Sequence, residues 1–120
     1  MKKNAVLSLL LLTLLLFSIS LSAATVYRNL RDIDIDANLA LGRKAVVRLD
    51  FMGKKPGGKL LFSDDQNKTV LLTYTRAQSF LVKRLKLVRK YTVTFRISRV
   101  SQGQTTVSAN IHGELIDITR

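Results

Sequence analysis

The fold is decided by residues 43–52, which read RKAVVRLDFM. Apolar side chains stand at every second position of this stretch. Because successive side chains of a β-strand point to opposite faces, a period of two predicts a strand with one buried face. The residues expected on that buried face are Ala45, Val47, Leu49 and Phe51.

The same alternation returns in four later segments. We expect strands at residues 59–63, 68–75, 91–100 and 105 to about 118. Their inward positions are Leu60, Phe62, Val70, Leu72, Tyr74, Tyr91, Val93, Phe95, Ile97, Val107, Ala109, Ile111 and Leu115. In the last segment Ile116 and Ile118 fall on the opposite parity, which predicts a β-bulge near Gly113.

Turn signals separate these strands. Residues 52–58 contain the only proline of the chain and three of its six glycines, so we expect a loop there. Shorter turns are expected at residues 64–67 and at residues 101–104, the second centred on Gly103.

One helix is expected between the third and fourth strands. Thr75 and Gln78 have the spacing of a capping box, which predicts a helix of about ten residues that begins at Arg76. The side chains expected to face the core are Phe80, Leu81, Leu85 and Val88, and those expected to face solvent are Lys83, Arg84 and Lys86.

Residues 25–41 form a lead-in segment with two open interpretations. The alternation from Asp32 to Asp36 favours a short strand, whereas Ala37 to Leu41 are equally compatible with the end of a helix. Gly42 ends the segment in either case.

The element order is therefore β-β-β-α-β-β. In this order, and in residues 87–95, the chain resembles a secreted or periplasmic bacterial OB-fold protein; residues 87–95 are similar to the start of strand four in OB-folds of the tRNA-anticodon and periplasmic types. The resemblance covers residues 42–118 and implies a mainly β domain, a small five-stranded Greek-key barrel with one helix between strands three and four. It implies no particular activity, because one fold serves many functions. Another small barrel or an open five-stranded sheet is the rival fold.

The N-terminus predicts export. Lys2 and Lys3 precede an uncharged, leucine-rich run from residue 5 to residue 21, and small residues follow at 22–24, which is the order of a secretory signal peptide. We expect cleavage after Ala24, with Ser22 as the alternative. An uncleaved anchor is the rival interpretation, but a spanning helix needs about 20 apolar residues. The predicted organisation is a signal peptide at 1–24, the lead-in at 25–41 and the barrel at 42–120, in a periplasmic or secreted protein with no membrane span after cleavage.

The charge of the chain is strongly positive. It has 20 Lys and Arg residues against 8 Asp and Glu residues, and no cysteine. Such a field attracts anionic partners, although it also serves solubility. Hydrophobic burial must hold the fold, since no disulfide is available to a domain expected in an oxidising compartment.

The candidate ligand site is the stretch from Gly53 to Lys59. In an OB-fold this stretch joins strands one and two, at the edge where ligands usually bind. Its lysines and glycines would hold an anion with help from outward charges on neighbouring strands. The residues assigned to this site are Arg48, Lys54, Lys55, Gly57, Gly58, Lys59 and Arg96. An ordinary basic hairpin loop is the alternative.

Catalytic and metal chemistry find little support in the sequence. Asp32, Asp34 and Asp36 resemble the start of a calcium loop, but the glycine and the glutamate that such a loop needs later are missing. His112 and Glu114 share a strand face, and two residues do not complete a metal site. We therefore expect no catalytic residue, no metal and no cofactor.

The expected burial of the aromatic side chains distinguishes nucleic-acid binding from binding of other anionic partners. Those on the strands all fall on inward positions, and Phe80 falls on the apolar helix face, so the surface is expected to lack platforms for base stacking. The sequence predicts an exported, non-enzymatic binding module for an anionic envelope component or a protein partner. A single-strand nucleic-acid binder and an enzyme with an unrecognised site are the alternatives.

Overall fold

The computed structural model describes residues 26–101 and 109–120. The strands are β1 (Lys44–Lys55), β2 (Lys59–Ser63), β3 (Thr69–Thr73), β4 (Lys90–Val100) and β5 (Ile111–Thr119). The helices are α1 (Leu30–Asp36), which runs into a 3-10 turn (Ala37–Ala40), and α2 (Ser79–Lys83), which follows a 3-10 turn (Arg76–Gln78).

The five strands close a barrel in the order β1-β2-β3-β5-β4. All neighbours are antiparallel except β3 and β5, which run parallel. A parallel pair needs a crossover connection, and the chain supplies it with the segment that contains α2 and β4. The predicted mainly β, OB-like barrel with a helix between strands three and four is confirmed.

The predicted strand parity is confirmed wherever the structure describes it. All inward residues predicted for the first, second and fourth strands are buried, and the rings of Phe51 and Phe62 pack with their centroids 5.4 Å apart. Tyr74 lies just beyond β3 and is only partly buried, although it packs against the core. The predicted turn at 101–104, apart from Ser101, and the inward position Val107 lie outside the described residues, as does the predicted signal peptide.

The register between β4 and β5 shifts twice. One shift leaves Ser98 of β4 without a partner beside Gly113, where the bulge was predicted. The other leaves Ile116 of β5 unpaired, because Leu115 pairs with Phe95 and the next pair begins at Asp117. This second bulge explains why Ile118 is buried on a parity different from Leu115.

The lead-in is helical, so the strand interpretation of Asp32 to Asp36 is wrong. The side chain of Asn29 caps α1 by accepting a hydrogen bond from the backbone N–H of Asp32 at 2.8 Å. Leu30 and Ile33 are buried in the barrel core. Leu30 and Ile33 are three residues apart, a spacing that places both on one face of a helix. The alternating aspartates at 32, 34 and 36 fit a strand equally well, so the sequence pattern left both interpretations open.

The expected loop at 52–58 is wrong in its extent. β1 continues to Lys55, and only Pro56–Gly58 form the turn to β2. A register shift at Met52 accommodates one extra residue, so the strand bends while the hairpin continues.

The predicted helix is shorter and rotated relative to expectation. The capping box of Thr75 and Gln78 is present, but the helical segment ends at Lys83. Val82 is the buried residue, whereas Phe80 and Val88, expected to be buried, are 59% and 74% exposed. A 3-10 turn advances each residue by more than an α-helix does, so the first turn shifts the phase of the face. No helix in the described part of the chain is long and apolar enough to cross a membrane.

Candidate functional site

One end of the barrel collects the hairpin and the segment that carries α2. The antiparallel pairing of β1 with β2 and β4, and the parallel pairing of β3 with β5, bring the ends of these strands to the same side. We call residues 52–60 and 74–90 the cationic end. They contain three basic residues in the first range, six in the second and no acidic residue.

Nearly all of this charge is without an acidic partner. Among the described residues, carboxylates form ion pairs only with Lys68 and Lys90; Lys90 contacts Asp50 at 3.7 Å and also Asp65. The hydrogen bond to Asp65 is the main reason that the pKa of Lys90 is raised. The other eight basic side chains of the cationic end lie within no ion pair of the described structure.

The tip of the β1–β2 hairpin presents charge together with accessible backbone. Lys55 and Lys59 face each other across the last pair of the ladder, and Lys54 and Lys55 are exposed. Gly57 and Gly58 have φ angles of 82° and 68°, a conformation that favours glycine. Apart from their chain neighbours, no described heavy atom lies within 4 Å of where their Cβ atoms would stand, so the space beside this turn is open to a ligand.

A groove of about 500 Å³ lies beside α2, between that helix, the start of β4 and the end of β5. Its apolar lining residues are Leu81, Leu85, Tyr91 and Ile118, and its basic lining residues are Lys83, Arg84, Lys86 and Arg120. The Tyr91 hydroxyl accepts a hydrogen bond from the backbone N–H of Lys86 at 2.9 Å, which fixes one wall. Among the described residues no Asp or Glu lines this groove, so it suits an anion with an apolar portion.

The sequence did not reveal this groove. It placed Lys83, Arg84 and Lys86 on a side that faces solvent, and all three are exposed, although the helix itself ends at Lys83. Only the closure of the barrel brings the end of β5 against that helix.

A turn at Lys86–Arg89 stands next to the groove. It docks on β1, since the backbone N–H of Val88 donates to the carbonyl of Phe51 at 2.8 Å. Val88 has a φ of 62°, and a β-branched residue in this left-handed region costs about 1–2 kcal/mol. Leu87 and Val88 are 67% and 74% exposed, so burial within the described structure does little to offset the strain.

Arg48 and Arg96, the strand charges assigned to the hairpin site, do not join it. Arg48 donates to the Thr92 hydroxyl at 3.3 Å and lines a different groove, of about 550 Å³, near the turn between β2 and β3. Arg96 donates to the Gly42 carbonyl at 3.1 Å. Following the ladder through β3 and β5, it is three strands away from Lys59, which is about 14 Å along the curved barrel wall at the usual spacing. The structure therefore brings together Lys54, Lys55, Gly57, Gly58 and Lys59 only.

The three aspartates of α1 have other partners. Asp34 forms an ion pair with Lys68 at 2.8 Å, and Asp36 accepts a hydrogen bond from the Tyr27 hydroxyl at 2.7 Å. Asp32 accepts from the Asn29 amide at 3.0 Å. No group of three or more potential metal ligands occurs among residues 26–101 and 109–120.

His112 and Glu114 lie on β5 in the predicted arrangement, on its outward side. Burial lowers the pKa of His112 from its ordinary value, and the positive charges of Arg99 and Lys59 lower it further. The neutral imidazole is therefore favoured, with its Nε2 atom buried and unbonded in the described structure. Glu114 pairs with Arg96 in the ladder.

The aromatic residues follow the predicted burial with two exceptions. Phe51, Phe62, Tyr91 and Phe95 are buried in the barrel, whereas Tyr74 is only partly buried. Phe80 is exposed instead of packed, so the cationic end has one largely exposed aromatic ring available to a ligand.

No protein-family model matches the chain, and a search of curated proteins finds no similar sequence. The function is therefore argued from the geometry and charge of the barrel.

Proposed function

We propose that this protein is a non-catalytic binding module that recognises an anionic ligand through the cationic end of its barrel. The observation that carries this proposal is the excess of basic side chains without acidic partners at this end. Residues 52–60 and 74–90 hold nine basic residues and no acidic one, and of the nine only Lys90 forms an ion pair in the described structure, with Asp50 and Asp65.

Two features of this end favour direct contact over attraction at a distance. The hairpin offers lysines beside two glycines with open space around them, and the groove combines basic and apolar side chains. Basic side chains without acidic partners remain free to neutralise a ligand, and their long-range field accelerates its encounter.

The cellular setting supports an anionic component of the envelope as the ligand, or a protein partner with an acidic surface. The support is the order of residues 1–24, two lysines, a leucine-rich run and small residues, which is typical of a secretory signal peptide. N-terminal sequencing of the exported protein tests this part: a start at Thr25 or Ala23 is expected, and a start at Met1 contradicts it.

The binding proposal is tested by retention on heparin, a soluble polyanion. We expect elution to require high salt, because the charges are exposed and salt screens them over about 8–10 Å at 0.1–0.15 M. Replacing Lys54, Lys55 and Lys59 together by serine should lower the salt needed for elution, and replacing Lys83, Arg84 and Lys86 together should do the same.

The matched control removes three exposed cations elsewhere, Arg28, Arg31 and Lys44. Each triple variant lowers the net charge equally. If all three variants elute from heparin at equally reduced salt, only the total charge matters and the cationic end is not a binding site. Surface substitutions usually change stability by no more than about 0.5 kcal/mol each, so folding should be retained.

Nucleic acid is the competing ligand, and exposed Phe80 is the one observation in its favour. Base stacking on an aromatic ring contributes about 1–3 kcal/mol per base. Tighter binding of single-stranded DNA than of heparin at equal salt, lost in Phe80→Ala, would replace the envelope ligand with a nucleic acid.

A further inference from the structure

We propose that the turn at Lys86–Arg89 inserts Leu87 and Val88 into the surface of a bilayer that contains anionic lipid. This inference rests on the proposed function, and it names the ligand as the headgroup layer of a membrane.

The first argument is the conformation of the turn. Val88 occupies its third position with a φ of 62°, where glycine or asparagine is favoured. The turn is closed by the Arg89 N–H and the Lys86 carbonyl at 3.3 Å, so its geometry does not need a valine side chain. A strained residue that the fold does not require points to a role outside the fold.

The second argument is exposure. Leu87 and Val88 project adjacent aliphatic side chains into solvent, at 67% and 74% exposure. Met52, on the neighbouring part of β1, is 46% exposed. Leu87 approaches that strand closely, since its Cδ2 atom would lie 3.7 Å from a Cβ at Gly53. The two elements thus place their apolar side chains at the same end of the barrel.

The third argument is charge complementarity. Lys86 and Arg89 flank the apolar pair in sequence, and Lys83 and Arg84 precede it. Lys54 lies on the adjoining hairpin. An apolar tip surrounded by cations matches a bilayer surface, where acyl chains lie below phosphate groups, and each nearby basic residue contributes about 1 kcal/mol when the lipid is anionic.

A local probe tests insertion directly. Because the chain contains no cysteine, Leu87→Cys can be labelled with the environment-sensitive fluorophore NBD at a single position. Leu39→Cys is the matched control, since Leu39 is 72% exposed but lies in the 3-10 turn after α1. Each label reports only its own surroundings, so attachment of another part of the chain to the vesicle does not produce the signal.

We expect the label at position 87, and not the label at 39, to shift its emission to the blue with phosphatidylglycerol-containing vesicles. Pure phosphatidylcholine vesicles should give little response at either position. An unchanged position 87, or equal shifts at both positions, overturns the inference.

Val88→Gly supplies a second readout. Glycine accepts the positive φ, so the melting temperature should not fall. Affinity for the anionic vesicles should fall about tenfold, as expected for loss of one buried valine side chain. Unchanged affinity contradicts insertion.

Heparin separates the two proposals. If the protein binds heparin but position 87 stays in water on vesicles, the lipid inference fails while the anion-binding function stands. If the protein binds neither heparin nor anionic vesicles, the proposed function itself fails.

Discussion

Replacing Gly113 with alanine will place a methyl group inside the barrel wall where no space exists. A Cβ at this position would lie 2.6 Å from the carbonyl oxygen of Arg96. It would also lie 3.0 Å from the Phe95 ring and 3.1 Å from a methyl of Leu72. The first contact is with backbone of a paired strand, so it cannot be relieved by a side-chain rotation.

The expected cost follows from this crowding. Extra methyl groups in well-packed cores cost about 1–3 kcal/mol. We expect the upper part of that range here, because β5 is held by β3 on one side and β4 on the other and neither can withdraw alone. For a domain of this size each 1 kcal/mol lowers the melting temperature by about 4–8 °C.

Thermal unfolding followed by circular dichroism measures the effect. Gly58→Ala is the control, because its Cβ would meet open space and only its φ of 68° opposes the change. Gly113→Ala should therefore lower the melting temperature more than Gly58→Ala. A melting temperature for Gly113→Ala within about 2 °C of the wild type, which corresponds to no more than about 0.5 kcal/mol, would refute the packing argument.

Two further predictions concern the barrel. Phe95→Ala should destabilise the protein by about 3–5 kcal/mol because Phe95 is fully buried, whereas Thr94→Ala should change little; equal melting temperatures contradict the strand parity. His112→Gln should flatten the decline of stability in acid. The pKa of His112 in the folded protein lies below its ordinary value of 6.5, so the unfolded chain takes up the proton first as the pH falls. The stability contributed by neutral His112 is therefore fully present above pH 6.5 and is lost as the pH falls towards the folded pKa. Because His112 is the only histidine, melting temperatures of wild type and variant at pH 7 and pH 5.5 isolate its effect.

Several features of the fold could be predicted from local pattern. Residues 43–52, 59–63 and 91–100 alternate clearly, and burial of one face follows directly from the period of two. The capping box of Thr75 and Gln78 was visible because it is a contact between residues three apart.

The errors lie where two local patterns compete or where an element ends. The aspartates at 32, 34 and 36 alternate like a strand, yet burial of Leu30 and Ile33 against the barrel favours a helix. The glycines and proline at 52–58 indicated a loop, but pairing with β2 continues β1 to Lys55.

The sequence by itself determined the excess of positive charge, the order of the strands along the chain, the inward faces of the strands and the basic hairpin. Composition and short-range periodicity encode these features. Only the tertiary structure decided which charges act together. Closure of the barrel carries Arg48 and Arg96 away from the hairpin, and it sets β5 beside α2 to form a basic groove. It also leaves Leu87 and Val88 in solvent. These outcomes depend on contacts between residues far apart in the chain, which no local pattern records.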